Sequence, residues 1–137
     1  MKQRKTKLTE NHRRSLTSAL MIVEQMLSEI KESLTIKNEL CCSEMQIDIS
    51  DEDRSHNLEI VDKALKQICK LAEIYETEKY HQSLRRVINA KKTKIWEILC
   101  DMKSKKQKGF GEFPKELVKE YDRSIDELLA IIDKIYI

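Results

Sequence analysis

The feature that most constrains the fold is a heptad-like spacing of apolar residues in four segments of the chain. In the first segment these residues step alternately by four and three: Leu16, Leu20, Val23, Leu27, Ile30 and Leu34. Segments 58–75, 80–102 and 118–135 repeat the step, with Lys91 interrupting the third stripe. Such spacing keeps one stripe on one side of a helix and is typical of near-antiparallel helix packing. It predicts an all-α fold, a four-helix antiparallel (up-down-up-down) bundle.

Capping residues and breakers divide the helical segments. Ser50 with Asp53 predicts the start of the second helix, Gly109 predicts the end of the third, and Pro114 suits the first turn of the fourth. Between helices two and three no breaker occurs, and Thr77 is the only possible cap within 76–79. A turn there is favoured because one continuous helix from about 51 to about 107 would be roughly 85 Å long. We therefore predict a basic flexible N-terminal arm over 1–8 and a single helical-bundle domain over 9–137, with helices at about 9–38, 51–76, 79–107 and 114–136.

Composition indicates a helix-rich protein that works in the cytoplasm. The chain has 137 residues, 36% of them charged, with two Gly and one Pro, which is about one domain. Its four cysteines are irregularly spaced, which favours reduced thiols over a disulfide framework. The apolar run behind the basic start, Ala19–Val23, is too short for a signal peptide or a membrane span.

No catalytic, cofactor or metal site is predicted. A di-iron bundle needs two Glu-x-x-His motifs, and only Glu78 with His81 supplies one, Asp53 with His56 being a poor second. The adjacent pair Cys41 and Cys42 lacks zinc-ligand spacing. The sequence therefore favours a protein that is not an enzyme.

Charge is arranged in four blocks of alternating sign. The balances over 1–14, 15–78, 79–108 and 109–137 are +5, −8, +8 and −3, which leaves a net charge of +2. In an up-down-up-down bundle the basic third helix lies between two acidic ones, so the blocks favour that order of neighbours. On this interpretation most of the charge serves the fold.

The alternative is that the cations contact a polyanion such as nucleic acid. The candidate residues lie on the N-terminal arm, the third helix and the segment that follows it: Arg4, Lys5, Arg13, Arg14, Arg85, Arg86, Lys92, Lys103, Lys105, Lys106 and Lys108. Trp96 is the one aromatic residue available for base stacking on the basic helix. Phe110 and Phe113 are expected to plug the end of the bundle.

The second helix carries more apolar surface than one core contact requires. Its apolar residues cover an arc of roughly 200°, against about 100° for a helix with one buried face. Deeper wrapping within the bundle or a self-association surface would each account for the excess. Our preferred interpretation is a non-enzymatic interaction module that self-associates or binds a protein partner. The alternative is a nucleic-acid-binding accessory protein that uses the third helix and the N-terminal arm.

Overall fold

The protein is all-α over residues 7–35 and 40–137, which a computed structural model describes, and no strand occurs in these residues. The helices are α1 (Glu10–Thr35), α2 (Asp51–Ile74), α3 (Leu84–Asp101) and α4 (Val118–Ile132). Two 3-10 turns, Ser104–Lys106 and Lys108–Phe110, lie between α3 and α4. The all-α prediction is confirmed. The chain divides into two compact units, residues 1–80 and 81–137, while the single-domain bundle stays a prediction.

Unit 1 is an antiparallel pair of α1 and α2. Near the end of α1, the carbonyl of Leu34 accepts a hydrogen bond from Arg54, at the start of α2, at 2.6 Å. At the other end, Arg13 Nη1 donates to the carbonyl of Glu76 at 3.3 Å. Val61 and Ile68, one heptad apart on α2, are only 6% and 8% exposed and form the centre of this unit.

Local hydrogen bonds fix both ends of α2. Ser50 Oγ accepts from the Asp53 amide at 3.1 Å, so the predicted N-cap is confirmed. Beyond Ile74 the chain turns at Glu76, whose φ is +53°, and the Thr77 amide donates to the Ala72 carbonyl at 3.0 Å. This is the Schellman arrangement, here with Glu in the position that usually holds glycine. A break between helices two and three is therefore present.

The third helix is shorter than predicted at both ends. It begins at Leu84 rather than 79, because the N-cap is Ser83, whose Oγ accepts from the Arg86 amide at 3.4 Å. It ends at Asp101 rather than 107. The reason is that the Ser104 amide, together with the Ser104 hydroxyl, donates to the carboxylate of Asp122 on α4 instead of forming a helical hydrogen bond.

Two glycine and proline predictions need correction. Gly109 does not end a helix, so that prediction was wrong; the glycine with a positive φ is Gly111, at +111°. Pro114 precedes α4 instead of opening it, because the Leu117 amide donates to the Pro114 carbonyl in a turn before Val118.

Unit 2 pairs α3 with α4, also antiparallel. Tyr121, near the start of α4, donates its hydroxyl to the Met102 carbonyl just beyond α3, at 2.6 Å. Lys92, on α3, donates to the carbonyls of Asp133 and Ile135 at 3.3 and 2.9 Å. A cation that binds the last carbonyls of a helix also complements the negative end of its dipole. Leu129 is the buried centre of this unit, 6% exposed.

Candidate interaction surfaces

The two polyanion candidates of the N-terminal region that the structure describes are engaged with carboxylates. Arg4 and Lys5 lie outside the described residues. Arg13 Nη2 donates to both carboxylate oxygens of Glu10, at 2.9 and 2.8 Å, and Arg14 Nε lies 3.4 Å from the same carboxylate. The hydrogen bond from Arg13 is the main cause of the lowered pKa of Glu10. Arg13 and Arg14 are thus partly neutralised within unit 1.

Two candidates in unit 2 are used to hold its helices together. Lys92 binds the end of α4 and lies 3.8 Å from the Asp133 carboxylate. Lys103 binds Asp126 of α4, and that hydrogen bond raises the pKa of Lys103. Both ammonium groups therefore have structural partners.

The other five candidates face solvent. Arg85 and Arg86 lie in the first turn of α3, and Lys105, Lys106 and Lys108 lie on the 3-10 turns; all five are exposed. Within residues 7–35 and 40–137 none of the five forms an ion pair, and none has a side-chain hydrogen bond. The described candidates that form neither kind of contact are thus cations of unit 2 close to the two ends of α3.

The two phenylalanines that follow these lysines differ in environment. Phe113 packs against Tyr121, with ring centroids 4.7 Å apart. Phe110 is 89% exposed, so the expectation that it plugs the end of a bundle was wrong. An exposed aromatic ring beside three unpaired lysines is a feature that periodicity could not have revealed.

A second apolar stripe runs along α1. Its members are exposed: Ala19, Ile22, Val23, Met26 and Ile30. Ile60, on α2, is exposed in the same way and completes the set. The five larger residues of this set are between 45% and 58% exposed. We call the set the apolar side of unit 1. Val23 and Ile30 belong to the stripe predicted to face the core, and that prediction was wrong for these two residues. The sequence signal for the second stripe is the four-three-four step of Ala19, Val23, Met26 and Ile30.

Helix geometry places these residues on one side of the α1–α2 pair. Residues two apart on a helix lie roughly 200° apart around the axis, so Ile60 and Asp62 are on opposite flanks of α2. Asp62 binds Lys31 at 2.8 Å, which sets the register and brings Ile30 level with Ile60 to within about one turn. Val23 and Ile60 are each displaced in the same rotational sense from the residues of their own helix that face the partner helix. In an antiparallel pair, residues displaced in the same sense lie on the same side of the pair.

Unit 2 also exposes apolar residues, which lie on α3 and on or beside α4: Leu84, Ile98, Met102, Leu117, Leu128, Ile131 and Ile135. Lys91 lies on the same flank of α3 as Ile98 and is exposed.

In the described part of the chain, no group of three or more His, Cys, Asp or Glu side chains could hold a metal ion. None of the described helices has the length and apolarity needed to cross a membrane. Four apolar side chains of the connector after α1 are also exposed: Leu40, Met45, Ile47 and Ile49.

Comparisons of the chain with protein-family models, with curated proteins and with solved structures found no match.

Proposed function

We propose that this protein is a non-enzymatic interaction module that self-associates through the apolar side of unit 1. The observation that carries the proposal is the stripe of half-exposed Ile, Val and Met residues along α1 and α2. Burying a fully exposed Val, Ile or Met side chain stabilises by about 1.5–3 kcal/mol, so covering the exposed half of each of these side chains should contribute about 0.7–1.5 kcal/mol. Several such residues in one stripe form a contiguous patch, which on a soluble protein usually marks an interaction site.

The occupant that suits this side best is a second copy of the same pair. A two-fold axis parallel to the helices places α1 of one copy against α2 of the other, so every neighbouring pair of helices is antiparallel. Glu29 and Lys63 border the apolar side on α1 and α2, and the register set by Lys31 and Asp62 makes them nearly level. In this dimer Glu29 of each copy lies opposite Lys63 of the other copy. This charge complementarity favours packing of α1 against α2 over packing of α1 against α1.

The four cysteines are all free thiols. Unpaired cysteines suit a reducing compartment, and we place the protein in the cytoplasm.

Light scattering during size-exclusion chromatography tests self-association. At tens of micromolar we expect a particle of about twice 16.2 kDa. The double variant Val23→Glu, Met26→Glu puts two charges on the apolar side and should give a monomer, because burying unpaired carboxylates is costly.

A matched control adds the same charge elsewhere on α1. The variant Gln25→Glu, Ser28→Glu changes exposed residues outside the apolar side and should stay a dimer. A monomeric parent chain, or equal dissociation of both double variants, would reject the proposal.

Nucleic-acid binding is the second candidate function. The observation that favours it is the set of five solvent-facing cations of unit 2 described above. Lys92 of the third helix is not part of this set, because its ammonium group donates to the Ile135 carbonyl.

A further inference from the structure

We propose that residues 104–111, which we call the basic turn, bind single-stranded nucleic acid, with Phe110 stacking on a base and Lys105, Lys106 and Lys108 contacting phosphates. The inference does not depend on self-association, because it concerns unit 2 and uses no residue of the apolar side of unit 1.

The basic turn is anchored at its start. Ser104 is 7% exposed, and its amide and hydroxyl donate to the two carboxylate oxygens of Asp122 at 2.8 and 2.7 Å. Just before it, the Met102 carbonyl accepts from the Tyr121 hydroxyl and Lys103 binds Asp126. These bonds tie the segment to α4, so a ligand that binds the turn does not have to order a free loop.

The three lysines beyond this anchor form no ion pair within the described part of the chain, although the pKa of the Asp122 carboxyl, which the hydrogen bonds from Ser104 lower most, is also lowered by nearby Lys105. Lys105, Lys106 and Lys108 are exposed and form no ion pair among the described residues, whereas Lys103 does. The segment 104–111 contains no acid. Glu112 follows it and, with Lys105 and Lys108, lines an open cleft of about 520 Å³. The local field is therefore positive, and phosphate groups are the ligands that such a set attracts.

Phe110 supplies the stacking surface. Its side chain is 89% exposed, and glycines lie on both sides of it in the sequence. A Cβ atom built on Gly109 or on Gly111 meets no heavy atom within 4 Å, so the space around the neighbouring backbone is open. An unobstructed ring next to cations is the combination that single-strand binding uses, because every base has a face that can stack.

A membrane surface fits these residues less well. Interfacial binding needs several apolar side chains that lie in one plane. The basic turn has one exposed ring, and its remaining exposed side chains are lysines. Base stacking needs only one ring for each base.

Fluorescence anisotropy with a labelled twelve-nucleotide oligothymidylate, measured at low salt with the full chain, tests the inference. The parent chain should bind. Phe110→Ala should weaken binding by about 5- to 150-fold, the range found when a stacking aromatic is removed. Phe110→Trp should bind at least as well as the parent, and oligonucleotide should quench the introduced indole. Since Phe110 is exposed, its replacement should leave the circular dichroism spectrum unchanged.

The charge contribution needs a matched control. Lys105→Gln, Lys106→Gln, Lys108→Gln should reduce the slope of log affinity against log salt by about 2, because each phosphate contact on a single strand contributes about 0.7. The control Lys66→Gln, Lys70→Gln, Lys79→Gln removes the same charge from exposed positions of unit 1 that the proposed interface does not use, and it should bind like the parent.

Three results would overturn the inference: no binding by the parent chain, equal weakening by both lysine triples, or unchanged affinity of Phe110→Ala. Binding to phosphatidylserine vesicles in place of the oligonucleotide would overturn it as well. A monomeric parent chain that still binds the oligonucleotide would reject self-association and leave the basic turn supported.

Discussion

Ile68 is the position at which a single truncation should most weaken unit 1. Replacing it with Ala removes three carbon groups, each worth about 0.8 kcal/mol when buried. At 8% exposure nearly all of this applies, about 2.2 kcal/mol. A cavity would add to the loss, but neighbours such as Leu65 and Leu71 are only half-buried, so the site can partly collapse. The higher helix propensity of Ala reduces the loss by a few tenths of a kcal/mol. We expect a net loss of about 2 kcal/mol.

Amide hydrogen exchange in peptides from α1 and α2 measures this loss locally. Protein concentration must be held constant, because self-association would make apparent stability concentration-dependent. Ile47→Ala is the control: Ile47 is 55% exposed in the connector, so its truncation should cost about 1 kcal/mol or less. If Ile68→Ala cost no more than Ile47→Ala, Ile68 would not be the centre of a core.

Two further predictions concern charged groups. Exchanging the charge at one position of the proposed interface, with Glu29→Lys or Lys63→Glu alone, disrupts two symmetry-related pairs. It should weaken the dimer by about 0.4–2 kcal/mol, and the double variant should restore the dimer. Analytical ultracentrifugation measures this, and no recovery in the double variant would contradict α1 against α2 packing. Two hydrogen bonds from Ser104, chiefly that of its amide and then that of its hydroxyl, lower the pKa of Asp122. The stabilisation from these bonds is therefore complete above the ordinary carboxyl pKa of about 3.9, and it is lost as pH falls through the lower pKa of the folded state. The Ser104 amide resonance should shift in that acid range, and Asp122→Asn should abolish the shift; a parent resonance that stays constant down to pH 2 would contradict the assignment.

The sequence predicted the helical elements better than their ends. Heptad spacing located the four helices, and Ser50 was identified as the N-cap of α2. The end of α3 was not predictable from local residues, because its cause is Asp122, which lies 18 residues from Ser104 in the chain. At the start of α3 the predicted cap was Thr77, but Thr77 serves the end of α2 and Ser83 caps α3 instead.

The candidate sites show a similar division. The identity of a cation is evident from the sequence, but its counter-ion is not. Lys92 and Lys103 appeared equivalent to Lys105, yet their partners Asp133 and Asp126 lie on another helix. The exposure of Phe110 depends on where the 3-10 turns end, which no periodic pattern specifies. Sequence reasoning therefore identified the cations but could not tell which of them have a carboxylate partner within the fold.

The salt dependence of an interaction distinguishes contacts between charged groups from contacts between apolar surfaces in this protein. Lys31 with Asp62 and Lys92 with Asp133 join the helices within each unit, but exposed pairs of this kind contribute only about 0–1 kcal/mol and mainly set the register. Self-association through the apolar side of unit 1 should therefore change little between 50 and 200 mM salt. Binding of the basic turn to three phosphates should weaken about 20-fold over that interval. Dissociation of the dimer with a comparable salt dependence would show that charge, rather than the stripe of α1, drives self-association.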